Sequence, residues 1–258
     1  MPIGVRDDVA YVVLKKIKES SENQEKAQVN LNLRDFSQQE VTQKELLDNL
    51  DYLQEKAYIN AQVSGNSGDA NSPSPIILEQ ATLTDKGRQT LAKMESHSPA
   101  DGFGRPGAPI ATENVGFLEK VMLEANLNDI FDARDLTVVV YRVMRDVMTT
   151  EAADRVGAEL HKEAQPTADK TLQMEVADLW KDTNPFVGFI SRIRQPLIIK
   201  DERFLFRIAQ EGSMPEFTDA ERVVKAVFSA TKEQLSSERI AEIAQWLPGK
   251  VKQLWNQA

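Results

Sequence analysis

The chain of 258 residues has no cysteine, only two histidines and no uninterrupted run of 18 apolar residues. Without cysteine there is no disulfide, no thiolate metal ligand and no cysteine nucleophile. Without a long apolar run we expect no membrane span, and the residues after Met1 show no apolar signal segment. We therefore expect a cytoplasmic protein, and the 41% of hydrophobic residues are enough for a core.

Motifs that carry chemistry are also missing. The two histidines, His97 and His161, have no second metal ligand three or four residues away, and no Gly-x-Ser-x-Gly nucleophile elbow occurs. The string Gly102-x-Gly104-x-x-Gly107 matches a dinucleotide fingerprint but follows no strand and lies among prolines. We predict no catalytic residue, no cofactor and no metal site, and therefore no enzyme. An enzyme that uses carboxylates in a helical cleft stays an alternative.

A helical segment occurs twice. Residues 117–160 and 204–247 align without a gap at an offset of 87, with 8 identities in 44 pairs. Apolar positions and helix caps align together, with Asp132 and Thr218 as the expected N-caps of the middle helices. Neither copy can bury its apolar stripe alone, so we predict an all-α domain whose halves pack about a pseudo-twofold axis. We expect the three tryptophans in its core, with an exposed interaction surface as the alternative: Trp180, Trp246 and Trp255.

The N-terminal third mixes helices and strands. Hydrophobic periodicity predicts a helix over 9–19 and a short strand over 29–33. A capping box at Thr42–Glu45 starts a helix that reaches about Ala57, and two β-prone runs around a polar loop predict a hairpin. The fold class is therefore mainly α, with an N-terminal α+β domain over 1–95, a Pro/Gly-rich linker over 96–114 and the duplicated helical domain over 115–258.

Two stretches carry family resemblances. The segments Leu50–Ile59 and Leu83–Arg88 resemble the end of the recognition helix and the segment after the wing in winged-helix domains. That resemblance covers about residues 8–95 and implies a module that binds DNA or protein. Residues 115–256 resemble an uncharacterised bacterial all-helical domain family of unknown function with two halves. The motifs that carry this second resemblance are Lys225–Phe228 and Glu238–Pro248, and they imply a fold without an activity.

The distribution of charge distinguishes a winged helix that binds DNA from one that binds protein. Asp48, Asp51 and Glu55 make an acidic stripe on the helix that would read DNA, and the loop over 64–75 has no Lys or Arg. The stripe is a candidate protein-docking surface, with a solvated face that binds no partner as the alternative. The net charge of −9 also opposes polyphosphate binding. For DNA binding, the candidate residues are Lys15, Lys16, Lys18, Gln43 and Lys44. A separate basic stretch could receive an acidic partner or phosphate: Arg192, Arg194, Lys200, Arg203 and Arg207.

The acidic stripe and the missing catalytic motifs together favour a non-enzymatic regulatory adaptor that docks protein partners through both of its modules. A DNA-binding transcriptional regulator, with the helical domain used for dimerisation or sensing, is the alternative. The identity of the protein partner does not follow from the sequence.

Overall fold

The computed structural model describes residues 5–21, 27–36, 41–64, 75–96, 112–160, 175–180, 196–197, 200–212, 214 and 219–258. The chain divides into two compact units, Pro2–Thr112 (the first unit) and Glu113–Ala258 (the second unit). Within the described residues, no helix is both long and apolar enough to cross a membrane.

The first unit combines helices with a small antiparallel sheet. Its elements in chain order are α1 (Asp7–Ser21), β1 (Ala27–Leu31), a 3₁₀ turn (Leu33–Phe36), α2 (Gln43–Glu55), β2 (Ile59–Ser64), β3 (Ile76–Leu83) and α3 (Asp85–Ser96). The sheet order is β1-β3-β2, and both pairings are antiparallel. Helix α1 packs on the sheet and on α2 and α3. The predicted order of helix, strand, helix and hairpin is confirmed.

The second unit is helical throughout the residues that the structure describes, as predicted. Its helices are α4 (Thr112–Ala125), α5 (Ile130–Asp146), α6 (Thr150–Leu160), α7 (Glu175–Trp180), α8 (Asp201–Glu211), α9 (Ala220–Lys232), α10 (Ser237–Trp246) and α11 (Gly249–Gln257). The last two are separated at Pro248, which is the N-cap of α11. Proline there has no amide proton to complete the α10 ladder, so α10 ends before it.

The duplication is visible in the helix bounds. Shifted by 87 residues, α8, α9 and α10 fall on 114–124, 133–145 and 150–159, which lie inside α4, α5 and α6. The caps of the third helix in each half correspond as well. Thr149 Oγ1 accepts from the amide of Ala152, and Ser236 Oγ accepts from that of Arg239, each at 3.3 Å.

The predicted N-caps of the middle helices are wrong. Asp129, not Asp132, caps α5, and its Oδ1 accepts from the Asp132 amide at 2.9 Å. Because this aspartate lies three residues upstream, α5 begins one turn earlier than its counterpart. In the second half Asp219 caps α9 and accepts from the Glu221 amide. Thr218 lies outside the described residues.

The tryptophans show that each half contains a fourth helix. Trp180 on α7 packs edge-on against Tyr141, and Trp255 on α11 packs edge-on against Phe228, the position equivalent to Tyr141. Trp180 Nε1 donates to the carbonyl of Ala153 at 2.9 Å, and Trp255 Nε1 donates to that of Ile240, the equivalent residue, at 3.1 Å. Helices α7 and α11 therefore correspond. Both indoles are buried, as expected, whereas Trp246 is half-buried.

Helices from the two halves pack against each other, α5 on α9 and α6 on α10. At the first contact Tyr141 and Thr231 share a hydrogen bond of 2.8 Å with both side chains fully buried. Contacts between corresponding helices of the two copies are what a pseudo-twofold arrangement requires.

Candidate functional site

Helix α2 is firmly anchored in the first unit. Its capping box forms as predicted: the Thr42 hydroxyl accepts from the Glu45 amide, and the Glu45 carboxylate accepts from the Thr42 amide at 2.8 Å. The hydrogen bond from the backbone of Thr42 is the main reason that the pKa of Glu45 is lowered. Leu46, Leu50 and Leu53 are buried, and the side chain of Asn49 accepts from the Arg6 amide at 2.8 Å. The opposite side of α2 is thus held at a fixed place on the surface.

That opposite side carries Asp48, Asp51 and Glu55, which we call the acidic face. Asp51 and Glu55 are exposed, with 75% of the Glu55 side chain accessible, and Asp48 is half-buried. Glu55 lies 3.8 Å from the Lys56 ammonium, the length of a weak surface ion pair. Asp48 and Asp51 form no ion pair with any residue that the structure describes. The acidic face therefore presents largely uncompensated negative charge.

Most of the α1 lysines, unlike the carboxylates of the acidic face, form ion pairs within the first unit. Lys16 forms an ion pair with Asp35, and Lys18 forms one of 3.0 Å with Glu95. Burial would raise the pKa of Asp35, but hydrogen bonds from Lys16 and from the Asn32 amide lower it overall. Two of the four lysines proposed for DNA binding, Lys16 and Lys18, are thus neutralised within the first unit.

The remaining residues of the DNA-binding alternative are scattered. Lys15 is exposed and its ammonium lies 5.6 Å from the centre of the Tyr11 ring. Gln43 is the half-buried first residue of α2, and Lys44 next to it is exposed. The loop over 65–74, where a wing would contact DNA, lies outside the described residues. Of the four lysines of this alternative, Lys15 and Lys44 are thus the two that form no ion pair with a described residue, and they lie on different helices.

The residues that carry the winged-helix resemblance serve the fold. The Thr84 hydroxyl donates to the carbonyls that follow α2, at 2.7 Å for Ala57 and 3.0 Å for Tyr58. The Lys86 ammonium donates to the Lys56 carbonyl at 3.1 Å and lies 4.0 Å from the centre of the Tyr58 ring. A Cβ on Gly87 would lie 2.1 Å from the Tyr58 carbonyl oxygen, so only glycine fits there. This segment ties the start of α3 to the junction between α2 and β2.

The basic stretch of the second unit is only partly available. Lys200 and Arg203 are exposed at the start of α8, with the exposed carboxylate of Glu202 between them. Arg207 instead forms ion pairs with Asp146 at 2.8 Å and Glu211 at 2.9 Å. Arg192 and Arg194 lie outside the described residues. In the described part the stretch is therefore charge-balanced.

The sequence interpretation overlooked two exposed apolar side chains in the second unit. Leu123 on α4 is 71% exposed and Phe206 on α8 is 64% exposed. Phe206 lies off the buried stripe of Phe204 and Ile208, so helical spacing alone could have identified it. Singly exposed apolar residues are common on protein surfaces, and these two carry little weight by themselves.

The described ranges also bear on the sequence prediction for metal ligands. No group of three or more His, Asp or Glu side chains there could hold a metal ion. Both histidines lie outside the described residues.

One comparison with known proteins found a match. The family model described as Uncharacterized conserved protein (DUF2267) matches residues 115–254, which is nearly the whole second unit. No curated protein matches the chain. Because the matched region spans more than half of the 258 residues, the chain belongs to the DUF2267 family.

Proposed function

We propose that this protein is a non-enzymatic, cytoplasmic adaptor whose first unit is a winged helix that docks a protein partner through the acidic face of α2. One observation carries the proposal: the carboxylates of the acidic face lack strong ion pairs, whereas two of the three α1 lysines that could hold a phosphate backbone, Lys16 and Lys18, are paired with Asp35 and Glu95. The second unit is a duplicated helical module that supplies a further docking surface.

The winged-helix interpretation is supported by topology. In that fold a helix and a strand precede the recognition helix, which is followed by a hairpin whose second strand pairs with the first strand of the domain. The order α1, β1, α2, β2, β3 and the sheet order β1-β3-β2 fit this description. Helix α2 then occupies the position of the recognition helix, so the charge of its exposed side determines the partner.

Electrostatics favours a polypeptide over DNA at this position. A protein that binds duplex DNA gains affinity by releasing counterions when its cations neutralise phosphates. The acidic face would instead bring three carboxylates towards the phosphates. A cationic protein surface gains attraction from the same carboxylates, and steering of this kind raises the association rate most at low salt. We therefore expect a basic protein surface as the partner.

The test compares three forms of the full-length chain in pull-downs from native lysate. The face variant carries Asp48→Lys, Asp51→Lys and Glu55→Lys. The matched control carries the same change of charge at exposed carboxylates elsewhere: Glu19→Lys, Asp154→Lys and Glu202→Lys. We expect one partner to be retained by the wild type and the control, and lost from the face variant at about 150 mM salt.

A second experiment tests the alternative function, which is DNA binding. Binding of labelled genomic duplexes is followed by gel shift at low salt for the same three proteins. We expect no binding by the wild type. Specific binding by the wild type that is weakened by replacing Lys15 and Lys44 with glutamate would replace the adaptor proposal with a DNA-binding regulator.

A further inference from the structure

Residues at equivalent positions of the two halves meet each other in the second unit. Arg155 on α6 and Glu242 on α10 differ by the repeat offset of 87, and Arg155 Nε donates to Glu242 Oε1 at 3.0 Å. Their neighbours Val156 and Ile243, which are also equivalent, are both fully buried. Equivalent residues can touch only near the pseudo-twofold axis, so this ion pair marks the axis.

Other ion pairs between the halves come in symmetric sets. Lys120 pairs with Glu233, and the equivalent residues Arg207 and Asp146 pair at 2.8 Å. Each half thus offers a cation on its first helix and a carboxylate at the end of its second helix. Two like halves would satisfy these contacts equally well, because Lys120 would then meet Asp146. The symmetric pairs fix the register but do not identify the partner half.

The ion pair between Arg155 and Glu242, which we call the axis pair, does distinguish like halves from unlike halves. If two first halves associated, Arg155 would face another Arg155, and two second halves would oppose Glu242 to Glu242. Arg239 reinforces the asymmetry, since it pairs at 3.1 Å with Glu159 of the first half, whereas its pair with Glu242 lies within α10. The position equivalent to Arg239 is an alanine, Ala152, so the first half has no cation to offer there. Only unlike halves satisfy these contacts.

We propose that the surface shared by α6 and α10 is a recognition surface that accepts an unlike half and rejects a like one, with Arg155 and Glu242 as its specificity-determining pair. The partner is the other half of the same chain or, by exchange, the unlike half of a second copy. Charge complementarity at the axis selects it, because every pairing of like halves places two equal charges in contact.

The first experiment is a charge-reversal cycle in the full-length chain, with urea unfolding of the second unit followed by tryptophan fluorescence. Arg155→Glu alone should lower the folding equilibrium constant by up to roughly fivefold, the upper end of the range for an exposed ion pair. Glu242→Arg should cost more, because Arg239 then faces another cation. Adding Arg155→Glu to the Glu242→Arg chain should raise the unfolding midpoint. The exposed reversal Lys225→Glu is the control, and its effect should not depend on Glu242.

The second experiment tests recognition between copies. The Arg155→Glu chain has two carboxylates at its axis, and the Glu242→Arg chain has two cations. Refolded together at equal concentration, the two chains restore both axis pairs when they exchange halves. Light scattering after size exclusion should then detect more dimer in the mixture than in either variant alone.

Two outcomes would overturn the proposal. If Arg155→Glu destabilises the Glu242→Arg chain as much as the wild type, the two residues do not recognise each other. If either variant alone forms as much dimer as the mixture, charge complementarity at the axis does not select the partner half.

Discussion

Replacing Thr231 with valine should destabilise the second unit more than replacing Tyr141 with phenylalanine, although each change removes the same hydrogen bond. Thr231 Oγ1 donates to the Val227 carbonyl at 2.6 Å, so the Tyr141 hydroxyl is the donor in the 2.8 Å bond to Thr231. Burial raises the pKa of Tyr141 far above its ordinary value, so the hydroxyl stays a neutral donor. The two substitutions leave different groups behind.

The loss of stability in each variant depends on which buried polar group is left without a hydrogen-bond partner. With valine at 231, the tyrosine hydroxyl is fully buried and loses its acceptor, which costs about 2 kcal/mol. With phenylalanine at 141, Thr231 keeps its bond to Val227, and the loss is about 1 kcal/mol. Phenylalanine already occupies the equivalent position 228, where it is also fully buried. The double variant replaces both partners with apolar groups and should cost less than the sum of the two.

Urea unfolding by tryptophan fluorescence measures these differences cleanly. All three tryptophans belong to the second unit, so the signal reports that unit without contribution from the first. For a unit of this size, 1 kcal/mol also shifts the thermal midpoint by about 2–4 °C. Equal losses for the two single variants, or a double variant whose loss equals their sum, would refute the assignment of Tyr141 as the donor.

Two further predictions concern the segment of the first unit that contains Gly87 and the stability of the second unit in acid. Gly87→Ala should destabilise the first unit by more than about 2 kcal/mol in far-UV circular dichroism melts, because its Cβ would overlap a backbone carbonyl. Gly116→Ala, which meets nothing within 4 Å, should be neutral or stabilising; equal effects would contradict the steric argument. Burial would raise the pKa of Glu159, but hydrogen bonds from Ser236 and Arg239 lower it below 4.5 overall. A lowered folded pKa gives stability that is present above 4.5 and lost as the pH falls through the folded value. Glu159→Gln should therefore be less stable than wild type at pH 7 and show a smaller further loss in acid unfolding, and an unchanged acid transition would count against the contact.

Local signals in the sequence predicted the local structure well. The capping box at Thr42 was predicted correctly, because a side chain three residues from its amide partner is a short-range feature. The cap at Asp132 was wrong because the chain carries two possible capping aspartates three residues apart, Asp129 and Asp132. The chain instead uses Asp129 and adds a turn.

Long-range partners could not be predicted in the same way. The match between Trp180 and Trp255 requires the offset to fall from 87 to 75, so an alignment without gaps missed the fourth helix of each half. The pairing of Lys18 with Glu95 joins residues 77 positions apart, and nothing in the local pattern of either residue identifies the other. The charge of the α1 surface therefore became clear only from the structure.

The duplication offers a way to separate residues that serve the fold from residues that serve a partner. A contact that recurs in both halves, as the indole bonds of Trp180 and Trp255 do, belongs to the packing that the two halves share. A contact that serves one binding site has no reason to recur. Phe206 corresponds to Glu119, and Leu123 corresponds to Gln210, so neither exposed apolar residue has an apolar counterpart. The packing that the two halves share therefore requires neither Phe206 nor Leu123.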